Sequence, residues 1–218
     1  MSELSGDVSV VECDTFFTTT QKPFPKLTAD GKIETKPFLE AAEGVVALVE
    51  FYGPVFFCVR DDMMGNIQKL KKVYDEDPSK YFYLDDMILS EKAQGGRIAS
   101  DSLLWLRRGL ELFRVFYTYL IEETRAGTVT DDVRPLLRKA YQETLAAYHG
   151  WVTKQLFKLV CQMLPCRKDL MLGLALGQDD IESTVIRHMS SFVVDLKCNT
   201  QAVYKLYKDN DIELDTMA

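Results

Sequence analysis

The chain has 218 residues, 47% of them hydrophobic, and no Pro-, Gly- or Ser-rich linker interrupts residues 37–210, so we expect one sizeable core. The formal net charge of −7 argues against a protein that binds a nucleic-acid backbone, which needs clustered positive charge. Five cysteines without a Cys-x-x-Cys spacing, and two histidines, predict reduced thiols, no metal site and no cofactor.

The N-terminus, MSELSGDVSVVECD, is acidic and has no basic region followed by an apolar one, so we expect no signal peptide. The most apolar stretch, residues 45–59, contains Glu50 and the Gly53-Pro54 pair and is too short to cross a bilayer. These features predict a soluble, cytoplasmic protein. Residues 1–35 lack helical periodicity, and we expect a partly mobile N-terminal extension there, followed by one domain over residues 36–218.

Long segments with helical periodicity lie between the prolines and predict an all-α fold. The predicted helices lie near 37–52, 54–75, 79–94, 98–125, 131–163, 166–174 and 179–209. Gly127 follows one segment end, where a left-handed cap is needed. Apolar positions circle much of residues 103–121, which predicts a central helix packed on both sides. Such an inventory of apolar side chains is compatible with a solid core or with an internal cavity.

Asp62, Asn66 and Lys69 stand at positions i, i+4 and i+7 of a predicted helix and therefore share one face. Together they offer an acceptor, an amide and an ammonium, a set that can donate to and accept from sugar hydroxyls. The alternative interpretation is a solvated face with an Asp–Lys pair.

Trp105 interrupts a leucine-rich stretch, DSLLWLRRGL. An indole face suits the apolar face of a sugar ring, and the indole N–H can donate a hydrogen bond. The alternative is a tryptophan of the core. Arg107 and Arg108 follow directly and would be solvated or would meet a phosphate.

His149 lies in the middle of the predicted helix 131–163, and Leu145, Val152 and Leu156 share its face. We therefore expect the imidazole to point toward an apolar interior, where it needs a hydrogen-bond partner whether it binds a ligand or belongs to the core.

Trp151 lies about 200° around the helix from His149 and should point outward. Lys154 and Lys158 share its side. An exposed tryptophan beside lysines is typical of a membrane interface, and the alternative is incidental packing under a neighbouring loop.

Motifs of enzyme chemistry are missing from the sequence. It has no Gly-x-Ser-x-Gly elbow, phosphate loop, dinucleotide fingerprint or His-Glu-x-x-His. The neighbouring carboxylates Asp61-Asp62 and Asp85-Asp86 are expected to be solvated. We therefore predict that the protein is not an enzyme and has no catalytic residue.

Three patterns in order, D-x-x-G-N-I-x-K from residue 62, L-L-W-L-x-R from residue 103 and Y-H-G-W from residue 148, resemble the glycolipid transfer protein family. The resemblance extends from about Ile33 to the C-terminus. It implies a two-layer helical sandwich of about eight helices that encloses a hydrophobic lipid tunnel. It also implies non-vesicular transfer of single glycosphingolipids (galactosyl-, glucosyl- or lactosylceramide) between membranes, with transient contact to the membrane surface.

The resemblance also implies roles for particular residues. Asp62, Asn66, Lys69 and Trp105 would bind the headgroup sugar, and His149 the ceramide amide. Trp151, with Lys154 and Lys158, would dock on membranes. The implied tunnel lining comprises Val49, Val55, Leu145, Phe157 and Phe192.

The subclass follows from two positions. Relatives that select ceramide-1-phosphate have a lysine in place of Asn66 and an arginine in place of Trp105, so this sequence favours a glycolipid. Animal members also have a tyrosine near the C-terminus that helps at the site. This chain ends ELDTMA, so that contact is absent unless Tyr204 or Tyr207 substitutes.

Two alternatives use the same pocket. A glycolipid sensor would report lipid levels to partner proteins, and Glu50-Phe51-Tyr52 resembles an acidic-aromatic docking motif for endoplasmic-reticulum receptors. A ceramide-1-phosphate carrier would bring Arg107 or Arg108 to the headgroup.

Overall fold

The structure, a computed structural model, describes residues 13–217. Within that range the fold is all-α, as predicted, and one isolated antiparallel bridge joins Glu34 to Tyr83. A 3-10 turn, Pro54–Phe56, precedes the third helix. The helices are α1 (Phe16–Thr19), α2 (Thr35–Glu50), α3 (Phe57–Glu76), α4 (Leu84–Ala93), α5 (Ile98–Ala126), α6 (Arg134–Thr144), α7 (Trp151–Gln162), α8 (Arg167–Leu174) and α9 (Glu182–Asp209).

Helix α5 is the central element of the fold. It contacts α3, α4, α6 and α9, and its buried side chains circle the helix, which confirms the prediction for residues 103–121. It ends at Gly127, whose φ of 66° is the left-handed cap that the sequence predicts. The remaining helices pack on this frame, with α2 on α3, α7 on α6, and both α1 and α8 on α9.

The core of the described residues is continuous and contains a buried pair of polar groups. The hydroxyls of Tyr52 and Tyr117 hydrogen-bond to each other between apolar neighbours, so neither is left without a partner. Burial raises the pKa of both tyrosines, which therefore stay protonated.

The N-terminal segment differs from the prediction over its described part. Residues 13–35 pack against the helical core, because Phe16, Phe24 and Ile33 supply buried side chains. Phe16 meets Phe51 edge to face, with 5.4 Å between ring centroids. Residues 13–35 therefore contribute to the core, whereas residues 1–12 lie outside the described residues.

The single helix predicted over 131–163 is also wrong. The chain leaves helical geometry after Thr144, where the N–H groups of Leu145 and Ala146 both donate to the carbonyl of Tyr141. Helix α7 begins after Gly150, whose extended backbone (ψ 174°) forms its N-cap. His149 therefore lies in the turn between α6 and α7 and not in the middle of a helix.

Candidate functional site

One face of α3 carries the first three candidate residues. Asp62, Asn66 and Lys69 line the same cavity, which confirms that they share a face. The Asn66 side chain is 6% exposed, and its Nδ2 donates to the main-chain carbonyl of Asp62 at 3.0 Å. That hydrogen bond orients the amide and leaves its Oδ1 as an acceptor.

The Asp62 carboxylate lies on the exposed rim of the cavity. Partial burial by the surrounding walls raises its pKa, and the ammonium of Lys69 opposes that shift. Reduced hydration makes the ionised carboxylate a strong acceptor for a hydroxyl. Lys69, exposed on the same rim, supplies donors.

Trp105 faces α3 from the central helix and is half-buried. Its ring stacks on His149, with 5.8 Å between centroids and 20° between planes. One turn further on, Gly109 keeps α3 close. A Cβ at Gly109 would lie 3.4 Å from Cγ of Met63, in van der Waals contact, so the two helices approach closely here.

His149 is half-buried in the turn before α7. Its Nδ1 lies 3.0 Å from the hydroxyl of Tyr141. Desolvation lowers the pKa of His149, and the charges of Arg108 and Lys154 lower it further, so the imidazole is neutral at pH 7. With Nδ1 engaged by Tyr141, Nε2 is the nitrogen left for a ligand.

These side chains share one cavity of about 420 Å³, here called the main cavity. Its polar lining contains the five candidates from α3, α5 and the α6–α7 turn, together with Cys58 and Thr153. Its remaining wall is mostly apolar, and Phe157 in that wall stacks on Tyr141 at 3.7 Å between centroids. The apolar lining comprises Val59, Met63, Leu112, Leu145, Leu156, Phe157 and Val160. The main cavity can therefore hold an amphiphile with a polar head against α3 and an apolar body against α7.

Comparison with known proteins decides the family. Residues 33–175 match the family model described as glycolipid transfer protein (GLTP). The chain belongs to the glycolipid transfer protein family.

Individual relatives agree with that assignment. The glycolipid transfer protein of Danio rerio is 30% identical over 198 residues, which cover 88% of this chain and 95% of the relative. A structure that explains how FAPP2 selects simple glycosphingolipids using the GLTP-fold is 29% identical, with a TM-score of 0.83 over 94% of this chain and 100% of that chain. HET-C2, a fungal glycolipid transfer protein, is 27% identical, with a TM-score of 0.81 over 91% of this chain and 100% of that chain. The GLTP fold predicted from the motifs is therefore confirmed.

The five residues predicted to line a lipid tunnel lie in different parts of the structure. Leu145 and Phe157 belong to the wall of the main cavity. Val49 is buried in the core, and Phe192 packs against aromatic rings under a separate cavity of about 290 Å³. Val55 is 38% exposed in the 3-10 turn. The main cavity thus has two of the five in its wall.

Helix α7 has an apolar outer face, which includes two residues that were predicted to point inward. The prediction placed Val152 and Leu156 on the inner face with His149, but Val152 is 72% exposed and Leu156 is partly exposed at the cavity edge. The break at Gly150 changes the rotation of α7 relative to His149. Val152, Leu156, Leu159 and Met163 form an exposed row, here called the α7 stripe.

Trp151 lies beside the α7 stripe and is 74% exposed, which agrees with the predicted outward direction. Lys154 is half-buried and Lys158 is exposed on the same helix. Within residues 13–217, none of the helices combines the length and the hydropathy that a membrane span requires.

Neither candidate for the missing C-terminal tyrosine reaches the main cavity. The buried hydroxyl of Tyr207 donates to the main-chain carbonyl of Ser100 at 2.6 Å. Tyr204 lies on the outside of α9, and the guanidinium of Arg107 lies 5.0 Å from its ring centroid. The C-terminal tail contributes instead through main-chain carbonyls, which accept hydrogen bonds from Arg108.

The segment Glu50-Phe51-Tyr52 is poorly placed to bind a receptor in this conformation. Tyr52 is buried against Tyr117, and Phe51 packs on Phe16 with part of its ring exposed. An extended docking motif would have to detach both aromatic side chains from the fold.

A second cleft, of about 570 Å³, adjoins the polar side of the main cavity. The main cavity and the second cleft share Asn66, Lys69 and Trp105, so the polar surface extends beyond the main cavity. Sequence patterns missed this cleft because its other members come from two helices that are distant in the sequence, α3 and α5. They are Lys72, Val73, Glu76, Ile98, Asp101 and Ser102.

Proposed function

We propose that this family member carries single glycosphingolipids between membranes without vesicles, with galactosyl-, glucosyl- or lactosylceramide as its cargo. The observation that carries the proposal is the main cavity, whose polar side and apolar side adjoin. The names of relatives point to the same cargo, because they are glycolipid transfer proteins and a protein that selects simple glycosphingolipids.

The sugar is held by groups of complementary type. The Asp62 carboxylate accepts from sugar hydroxyls, Lys69 donates to them, and the Asn66 amide does either. The ring of Trp105 lies under the apolar face of the sugar. A lipid without these hydroxyls leaves partly desolvated groups unpaired, which costs affinity and so gives specificity.

A phosphate headgroup fits this site poorly. Phosphate carries a charge of about −1.5 to −2 near neutral pH and is best held by paired cations. Here Lys69 is the cation on the rim, and the carboxylate of Asp62 on the same rim repels an anion. The site therefore favours a neutral sugar over ceramide-1-phosphate.

The ceramide amide is read by His149. We assign the hydroxyl of Tyr141 as the donor to Nδ1; burial raises the pKa of that hydroxyl to about 12, so it keeps the proton that it donates. A neutral imidazole that accepts at Nδ1 carries its proton on Nε2. The Nε2–H then donates to the ceramide carbonyl.

Transfer is a problem of desolvation and needs no bond to be made or broken. Each methylene exposed to water costs about 0.8 kcal/mol. A ceramide with some thirty methylenes would therefore cost on the order of 20 kcal/mol to carry bare through water. A protein wall that replaces membrane lipid around the chains removes most of that barrier, and no catalytic residue is required.

The chains need more room than the main cavity provides. Its volume of about 420 Å³ suits a small ligand, whereas two lipid chains are larger. Phe157 and Val160 of α7 close the cavity on its apolar side. We propose that α7 shifts outward to admit the chains when its outer face meets a membrane.

Membrane contact is made by the α7 stripe together with Trp151. A tryptophan at the border of an exposed apolar row suits the membrane interface, and Lys154 and Lys158 add attraction to anionic headgroups. The same helix thus forms the cavity wall and the docking face. We propose a cytoplasmic protein that associates peripherally with membranes and exchanges lipid where it docks.

Vesicle transfer tests this function directly. Donor vesicles carry fluorescent galactosylceramide, lactosylceramide or ceramide-1-phosphate, and transfer to acceptor vesicles is followed with the protein at a small fraction of the lipid concentration. We expect many galactosylceramide molecules to move per protein. Movement of ceramide-1-phosphate without the glycolipids would overturn the assignment of cargo. Stoichiometric binding without net transfer would favour the sensor function.

A further inference from the structure

Four planar groups form a continuous stack behind the polar side of the main cavity. The His149 ring stacks on Trp105, and the guanidinium of Arg108 lies 4.5 Å from the Trp105 ring centroid on α5. The same guanidinium lies 3.6 Å from the ring centroid of Tyr148, the neighbour of His149 in the chain. Arg108 therefore links the two segments that carry Trp105 and His149.

The C-terminal tail holds this guanidinium in its plane. Nη1 of Arg108 donates to the carbonyl of Thr216 at 2.7 Å, and Nη2 donates to the carbonyl of Leu214. Two donors of one rigid fork that meet two carbonyls two residues apart fix the orientation of the group. The tail is itself anchored, because Leu214 packs against the core and Glu213 pairs with Arg97 at 2.9 Å.

Burial of a cation in this space carries a desolvation cost. Arg108 is 2% exposed, and desolvation lowers its pKa, so an apolar side chain of similar volume would serve the core at less cost. What an apolar side chain lacks is a plane that is fixed by hydrogen bonds and attracted to two aromatic faces. The arrangement therefore serves to fix the orientation of the aromatic rings and not to increase the stability of the fold.

We propose that Arg108, held by the carbonyls of the C-terminal tail, is a positioning residue that fixes the Trp105 ring for stacking under a sugar. It does not touch the ligand, since it is absent from the walls of both the main cavity and the second cleft. The inference rests on the proposed function, because it assumes that the ligand has a sugar. The C-terminal tail would thereby support the Trp105 ring without touching the ligand.

The test compares a glycolipid with the same lipid lacking its sugar. Trp105 and Trp151 are the two tryptophans of the chain, so in a Trp151→Phe background Trp105 reports alone. N-octanoyl galactosylceramide and N-octanoyl ceramide are titrated into this protein with and without Arg108→Lys. We expect Arg108→Lys to weaken galactosylceramide binding about 10-fold, to leave ceramide binding within about 2-fold, and to shift Trp105 emission.

Matched variants separate positioning from general stability. Arg107→Lys changes the adjacent arginine, which bonds the carbonyl of Thr200 outside the cavity, and should leave both affinities unchanged. A chain ending at Ile212 removes both carbonyls and should reproduce Arg108→Lys, while Glu213→Gln removes only the ion pair with Arg97.

Failure of this inference is distinguishable from failure of the proposed function. If the background protein binds ceramide as well as galactosylceramide, the proposed sugar site is wrong. If it prefers galactosylceramide and Arg108→Lys keeps that preference, the positioning inference is overturned. Equal loss of both affinities, with a lower Tm, would also overturn it, because Arg108 would then be a residue of the core.

Discussion

The ring of Trp105 lies against the ring of His149, with 5.8 Å between centroids and 20° between planes. One residue comes from the middle of the chain on α5 and the other from the turn before α7. Their contact joins the sugar platform to the group proposed for the ceramide amide. A lipid bound along both rings would therefore contact them where its sugar joins its ceramide.

Removal of the Trp105 ring should nearly abolish glycolipid transfer. Trp105→Ala loses the stacking surface and the indole donor, which together are worth about 2–3 kcal/mol, or about 30–150-fold in transfer rate. Trp105→Phe keeps a ring and should retain more activity. The measurement is vesicle transfer of fluorescent galactosylceramide, with Tyr204→Ala as an aromatic control outside the main cavity. Wild-type transfer by a folded Trp105→Ala protein would refute the site.

Asp62→Asn should lower transfer and raise thermal stability together. The amide loses a charge-assisted hydrogen bond to the sugar, so we expect transfer to fall about 10-fold. The pKa of Asp62 is raised by burial, so its charged form is disfavoured by folding and stability increases as pH falls through that pKa. Replacement by a neutral amide removes this cost at pH 7 and should give a small rise in Tm.

The control for Asp62 is its neighbour. Asp61 is exposed and pairs with Arg60 at 2.7 Å, outside the main cavity. Asp61→Asn should leave transfer unchanged and should not raise Tm, because an exposed ion pair contributes little. Equal loss of transfer in the two variants would show that overall charge, and not the site, determines the rate.

Much of the polar site follows from the sequence because it depends on local geometry. Helical periodicity alone places Asp62, Asn66 and Lys69 on one face of α3. Trp105 and His149 could not be joined to that face by periodicity, since they come from distant segments, and the family motifs supplied the connection. The pattern of α5 also predicts its central position, because a helix that is apolar on most sides must be covered.

Other features depend on tertiary packing and were missed or assigned wrongly. The helical periodicity of the sequence continues past Thr144, where α6 ends, so it predicts helix for the turn that carries His149. Phe16 packs into the core from a segment without periodicity, where the sequence pattern does not predict which residues are buried. Arg108 follows another arginine and resembles a solvated residue, although it is among the most buried charged groups of the described chain. Apolar content alone could not separate a cavity from a solid core.

A charge on the α7 stripe should block membrane docking without changing lipid recognition. Leu159→Glu replaces a side chain that is 59% exposed with one that an anionic membrane repels. We expect vesicle binding to fall at least about 10-fold, because full burial of a leucine is worth about 1.5–3 kcal/mol. Co-flotation with vesicles measures docking, and titration with N-octanoyl galactosylceramide in solution measures recognition.

Val194→Glu is the matched control for docking. Val194 is also 59% exposed but lies on α9, away from the stripe. This variant should bind vesicles and transfer lipid as the wild type does. If both variants lose docking equally, membrane contact is not confined to α7, and the proposed coupling between docking and cavity opening is wrong.

Glycolipid affinity should decrease at mildly acidic pH through His149. Its pKa is lowered from 6.5, first by burial and then by the charges of Arg108 and Lys154. A bound lipid removes more water from the imidazole and so favours the neutral form further. Affinity should therefore be constant above about pH 6.5 and fall as pH drops through the lowered pKa. The stability that His149 contributes is lost in the same window, from about pH 6.5 downward.

His149→Gln separates this titration from that of Asp62, whose raised pKa also weakens sugar binding in acid. A glutamine keeps a donor for the ceramide carbonyl but does not titrate. We expect a lower affinity at pH 7 and loss of the inflection that His149 causes, while the inflection that Asp62 causes remains. The measurement is N-octanoyl galactosylceramide binding between pH 4.5 and 8 with Tm recorded at each pH. An unchanged pH profile in His149→Gln would assign the titration to other groups and remove His149 from the ceramide site.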